Sequence, residues 1–113
     1  MDTALFDALL DHARSLPGAE FDVKWGGTQV LSIGGKMFLT RGPHGLSYKV
    51  DDDDFLALSG LPGVRPAPYL ARARWIQVLS TAALDADDIR RGIARSRELV
   101  LQKLPQARRR AWS

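Results

Sequence analysis

Apolar residues near the start of the chain recur at helical spacing. Leu5, Phe6, Leu9, Leu10 and Ala13 fall on one side of a helix that Thr3 can cap. Pro17-Gly18 stops that helix, and the period then changes. Phe21, Val23 and Trp25 alternate with polar residues, which predicts a strand. Gly26-Gly27 and Gly34-Gly35 tolerate positive φ, so each predicts a tight hairpin turn, flanking strands over 28–33 and 36–41. Gly42-Pro43-His44-Gly45 makes a longer turn into a strand over 46–50, where Leu46, Tyr48 and Val50 share a face. Strands joined by connections this short must pair antiparallel.

The second half changes register again. Asp51 to Asp54 open a short helix containing Phe55, Leu56 and Leu58, its acids set against the partly positive helix N-terminus. Gly60 to Pro68 is rich in Pro and Gly and is expected to be an ordered surface crossing. Trp75 to Leu79 predicts a fifth strand. Asp85 or Asp87 starts a last helix that runs to about Lys103 and ends before Pro105. On a helical wheel Ile89, Ile93, Ser96, Val100 and Leu104 form one stripe. Arg90 and Arg97 flank it on one side, Arg91 and Arg95 on the other. The expected fold is therefore α+β, in the order α-β-β-β-β-α-β-α. It is a two-layer sandwich of an antiparallel five-stranded sheet and three helices. Residues 1–113 are expected to form one domain, with 105–113 as a frayed basic tail.

Composition narrows the class. With 113 residues, 45% apolar and 26% charged, the chain has the balance of a folded soluble protein. No apolar run approaches the ~20 residues that a membrane helix needs. The start lacks a basic segment followed by an apolar one, so no secretory signal is read and a cytosolic location is expected. The absence of cysteine excludes disulfides, thiolate metal sites and thiol catalysis together. Charge is unevenly spread. Residues 1–54 carry nine acids and five bases, a net of −4, whereas residues 55–113 carry four acids and eleven bases, a net of +7. Seven arginines lie between Arg90 and Arg110. A basic segment of this kind points to an anionic partner.

Catalytic and metal motifs do not survive inspection. Gly34-Gly35-Lys36 imitates the end of a phosphate loop, but Met37 replaces the required Ser/Thr and Val30 the first glycine. Asp51 to Asp54 imitates a calcium loop in charge alone, since Phe55 would fall on a ligand position and Pro62 on that of the bidentate acid. His12 and His44 have no metal-pair spacing. Ser32 and Ser47 lack the glycines of a nucleophile elbow. Ser96 lies on the buried stripe, where its hydroxyl is expected to bond the preceding turn's carbonyl. No cofactor is implied, and a non-enzymatic protein is expected. Trp25 and Trp75 are expected to pack in the sheet core or its rim, because large aromatics dominate small cores.

The motifs also have a recognisable order. Leu16-Pro17-Gly18-Ala19-Glu20, Trp25, Gly35-Lys36-Met37-Phe38, Arg65-Pro66-Ala67-Pro68-Tyr69-Leu70, Arg74-Trp75-Ile76-Gln77-Val78, Ser96, Leu99-Val100 and Lys103-Leu104-Pro105 follow one another. This set, spread over nearly the whole chain, resembles the MmcQ/YjbR family of small bacterial proteins. The resemblance implies a two-layer fold similar to secretion chaperones, and DNA binding by a double-wing arrangement. It brings no catalytic or cofactor residue. The family often has tyrosine after the helix serine, where this chain has Arg97.

Three functions are open at this point. In the first, the turns at Gly26-Gly27, Gly34-Gly35 and Gly42 to Gly45 are wings, and Arg72, Arg74, Arg90, Arg91, Arg95 and Arg97 contact phosphates. Such binding would be weakly sequence-specific and salt-dependent, and it needs the arginines on one surface away from Asp51 to Asp54. In the second, the protein is a chaperone-like or homodimeric interaction module with an apolar patch on the sheet or at Pro66 to Leu70. In the third, it binds a small ligand in a pocket, with Lys36, Tyr69, Arg72 and Glu20 as candidates.

Overall fold

A computed structural model describes residues 2–109. The first helix, α1 (Thr3–Arg14), is followed by four strands in succession: β1 (Glu20–Lys24), β2 (Thr28–Ile33), β3 (Lys36–Arg41) and β4 (Leu46–Lys49). Helix α2 (Asp52–Leu58), strands β5 (Val64–Pro66) and β6 (Trp75–Val78), helix α3 (Ala86–Gln102) and a last turn of helix, α4 (Gln106–Arg109), complete the described chain. The sheet is antiparallel throughout, in the order β1-β2-β3-β4-β6-β5. The α+β two-layer reading holds, but the sheet has six strands instead of five.

The extra strand is Val64–Pro66, which lies inside the segment expected to be a plain surface crossing. Three residues are too few to show a period, and Pro66 argues against a central strand. At the sheet edge the missing N–H costs nothing, and β5 is an edge. Its partner β6 lies between it and β4, so the chain passes over the end of the sheet through α2 before returning.

The helices cover one face. Leu31, Leu39, Tyr48 and Ile76 occupy successive paired positions across β2, β3, β4 and β6, apart from the β5 edge. They share a core with Phe6, Leu9, Leu10 and Ala13 of α1 and with Ile89, Ile93, Val100 and Leu101 of α3. The predicted α3 stripe is buried, Leu104 beyond the helix end included. A bulge between Leu31 and Ser32 in the β2–β3 register leaves both Phe38 and Leu39 inside. Gly92 lets α3 approach closely, because a Cβ there would lie 2.6 Å from Cε1 of the buried Tyr48.

Helix starts divide between local and long-range bonds. Asp85 begins α3 with a capping box: its carboxylate accepts from the Asp88 N–H at 2.8 Å, and Asp88 accepts from the Asp85 N–H at 3.1 Å. At α1 the cap position is Asp2 instead of Thr3, and no described side chain caps the helix. The Asp2 carboxylate instead accepts from the Thr81 N–H at 2.9 Å and its hydroxyl at 3.2 Å, tying the chain start to the β6–α3 loop. Ser96 also departs from expectation. Its hydroxyl donates to the Phe38 carbonyl at 2.7 Å and accepts the Lys49 N–H at 2.9 Å, so it clasps α3 to two strands. Gaps in the ladder at the bulge and at the end of β4 make those backbone groups available.

Candidate functional site

The other face of the sheet carries no helix among the described residues. Alternation puts Asp22, Val30, Thr40, Ser47, Gln77 and Arg65 in one row across all the strands, and this row faces away from α1 and α3. Part of the face is covered by the return of the chain. After β5 the segment from Ala67 to Arg74 folds back and passes through a 3-10 turn at Ala71–Ala73. The Ala67 N–H donates to the Trp75 carbonyl at 3.0 Å, and the Trp75 N–H donates to the Leu70 carbonyl at 3.3 Å. Trp75, Ala67 and Val30 are also buried, yet they are no part of the core under the helices.

The uncovered remainder is a cleft of about 620 Å³, within the range of small-molecule sites. Thr40, Ser47 and Gln77 form its floor, and the turns at 25–28 and 42–43 and the segment 67–70 form its walls. Trp25 and Tyr69 both line it, with 68% and 104% of their surface exposed. Both have left-handed backbones, at φ 50° and 67°. That conformation is disfavoured for a bulky residue. The expectation that Trp25 packs in the core or its rim is therefore corrected. This tryptophan ends the β1 alternation inside a turn, where the close of the hairpin sets its direction. Trp75, by contrast, is packed as expected.

The floor has a further property. Thr40 and Ser47 are more than nine-tenths buried, lie opposite one another across β3 and β4, and make no hydrogen bond through their hydroxyls among the described residues. No side-chain oxygen or nitrogen that is fully occluded lacks a partner among the described residues, so these hydroxyls keep their access through the cleft. Gln77, paired to Ser47, accepts from Arg65 Nε through Oε1 at 2.7 Å, which leaves its amide N–H groups as donors. Among the described residues, no aspartate, glutamate, lysine, arginine or histidine lines the cleft.

Most of the arginines expected to contact phosphates have partners within the protein. Arg95 grips Asp51 with two hydrogen bonds of 3.0 Å each and reaches Glu98 at 3.4 Å. Arg74 bonds Asp52 at 3.1 Å and lies over the Phe55 ring. Arg90 pairs with Asp87 and Arg91 with Asp88, each at 2.5 Å and one helical turn apart. Arg97 donates to the Pro17 carbonyl at 2.8 Å, on the α1 side of the molecule. Arg72 is exposed on the 3-10 turn and makes no ion pair or hydrogen bond among the described residues. The six therefore do not share one unopposed surface, and two of them sit on the acidic run itself. Asp51 was expected to serve its own helix, but its side chain makes no cap bond there. The Arg95 hydrogen bonds hold its carboxyl below the usual range, and Asp51 in turn raises Arg95. Lys49 is pushed down by burial, with Lys103 adding repulsion.

Of the ligand candidates, Tyr69 reaches the cleft, while Lys36 and Glu20 are exposed at strand starts and do not line it. A second hollow of about 360 Å³ between α2 and α3 mixes Asp54 and Asp88 with Arg91 and Arg95 above Tyr48. Burial there raises the Tyr48 phenol, helped by Asp88. No group of three metal-ligating side chains occurs among the described residues, nor any helix long and apolar enough to cross a membrane. Arg110 and Trp112 lie outside the described residues.

Residues 14–99 match the sequence model of the family described as YjbR. This chain belongs to the YjbR family. The match takes in the whole sheet, the cleft and most of α3, so the open sheet face belongs to the family's own portion of the chain. No curated protein matches the chain.

Proposed function

We propose that this YjbR-family protein is a non-enzymatic bacterial cytoplasmic binding module whose ligand or partner enters the cleft on the helix-free face of the sheet. One observation carries the reading: two nine-tenths-buried residues, Thr40 and Ser47, present hydroxyls unpartnered among the described residues to a cleft walled by strained, exposed aromatics. Backbone strain of about 1–3 kcal/mol per residue persists where something other than local preference holds it, and such positions cluster at binding sites. Nothing among the described cleft residues supplies a nucleophile with an adjacent base, which favours binding over catalysis. Amide chemical-shift mapping against a mixed panel of aromatic and aliphatic fragments tests the proposal. Shifts should gather at Thr40, Ser47, Gln77 and residues 67–70; binders confined to the helical face would sink it.

Nucleic-acid contact through Arg72, Arg74, Arg90, Arg91, Arg95 and Arg97 is the second reading. It is favoured by the exposure of the α3 ion pairs, Arg91 being 72% exposed beside Asp88. Exposed pairs are worth only about 0–1 kcal/mol, so phosphates can displace them. Duplex and single-stranded DNA titrations over a range of salt decide it. Binding that weakens steeply with salt supports this reading, and no binding at low salt removes it.

A further inference from the structure

We infer that the cleft takes an uncharged planar ring carrying a hydrogen-bonding edge, stacked against the exposed aromatics Trp25 and Tyr69 of its lining; this rests on the reading of the cleft as the binding site. The first ground is charge. In a chain with 26% charged residues, none of the described side chains lining the cleft is acidic, basic or histidine. An ionised ligand would meet no counter-charge on the cleft lining, and Arg65 beside it is already engaged by Gln77, which selects neutral molecules.

The second ground is shape. Two large aromatics of the lining, each held in the left-handed region and each largely in solvent, bury little of their own surface against the protein and leave ring surface for a ligand. Flat rings stack on such faces with a gain beyond area alone. The third ground is the floor. The Thr40 and Ser47 hydroxyls can each donate or accept, and the Gln77 amide donates because Arg65 holds its oxygen. A ring lying on this row would meet both kinds of partner along one edge. A purely aliphatic occupant would leave the hydroxyls without partners, and a long flexible one would gain nothing from two rigid rings.

An isosteric series isolates the claim: indole-3-acetamide, indole-3-acetate and tryptamine share one ring and differ in charge. Each is titrated into the isotope-labelled full chain while the amides of Thr40, Ser47 and Gln77 are followed. Indole-3-acetamide should shift those amides, with both charged relatives at least about tenfold weaker, as expected when a charge is desolvated without a partner. Tyr69→Gly and Trp25→Gly should each weaken indole-3-acetamide by about tenfold, the order of one lost stacking partner. Both variants should keep or raise Tm, since glycine suits their backbone angles. If a charged relative binds the cleft as tightly, the ligand class is wrong while the cleft survives as a site. The ligand class is equally wrong if decaproline shifts these amides at lower concentration than indole-3-acetamide. If none of the probes shifts the floor amides at millimolar concentration, the inference and the cleft reading fail together.

Discussion

The two faces of one sheet are built to different rules. Under the helices, side chains from α1, α3 and the strands form a continuous apolar core, in which the Ser96 hydroxyl is satisfied on both sides and the Tyr48 phenol opens to the hollow between α2 and α3. On the opposite face burial is patchy. Val30, Ala67 and Trp75 are buried, while along the same face hydroxyls stay unpartnered among the described residues and aromatics stand in solvent. The first face carries the stability of the fold. The second leaves local preferences unmet, and unmet groups are what a binding surface has to offer.

Substitutions can put this contrast under load, beginning with the helical face. Ile89→Ala removes a fully buried side chain from the α3 stripe and should cost about 3–4 kcal/mol in denaturant unfolding. A loss below about 1 kcal/mol would mean that α3 does not close the core. Ser96→Ala should follow at about 2–3 kcal/mol, because it strands the Phe38 carbonyl and the Lys49 N–H in a dry site. Ser47→Ala is the control on the other face and should be within about 0.5 kcal/mol, since its hydroxyl bonds nothing among the described residues. Equal losses for the two serines would erase the distinction between the faces.

Smaller effects refine the picture. Tyr69→Gly and Trp25→Gly should leave stability unchanged or raise it by up to about 1 kcal/mol, which is unusual for the loss of a large aromatic. A marked loss in either would show that the ring packs for stability. The smallest effect concerns pH. Arg95 depresses the Asp51 pKa, so the pair stabilises the fold above the unfolded carboxylate value of about 3.9. That contribution is lost as pH falls through the depressed value. Asp51→Asn should therefore reduce stability slightly at neutral pH and flatten the acid limb of a stability–pH curve. An unchanged acid limb would mean that the pair contributes nothing measurable.

The charge pattern changes meaning in the folded molecule. Along the chain the acids of the first half and the bases of the second are separate blocks. In space Asp51 meets Arg95 and Asp52 meets Arg74, so two pairs join the halves and part of the imbalance is answered within the protein. Sequence distance hid this: Asp51 and Arg95 are 44 residues apart, and no spacing rule connects a helix start to the flank of another helix. The short edge strand Val64–Pro66 was hidden for another reason, because three residues ending in proline carry no period. For the cleft part of the signal was present in the chain. Thr40, Ser47 and Gln77 fall at alternate strand positions, opposite in direction to Leu39, Tyr48 and Ile76. Trp25 beside Gly26-Gly27 and Tyr69 after Pro66-Ala67-Pro68 place large aromatics in turns, where packing does not explain them.

Periods and their breaks were legible in the chain alone: the α1 face, the antiparallel meander, the buried α3 stripe and a start of α3 at Asp85 or Asp87. These follow from spacing and local backbone preference, which act over a few residues. Long-range packing settled which sheet face stays open, that Trp75 is buried while Trp25 is exposed, and which carboxylate each arginine meets. Those outcomes depend on where the chain returns after β5 and how α2 and α3 come together. Alternation sorts residues into two faces, but it cannot say which of the two will be covered.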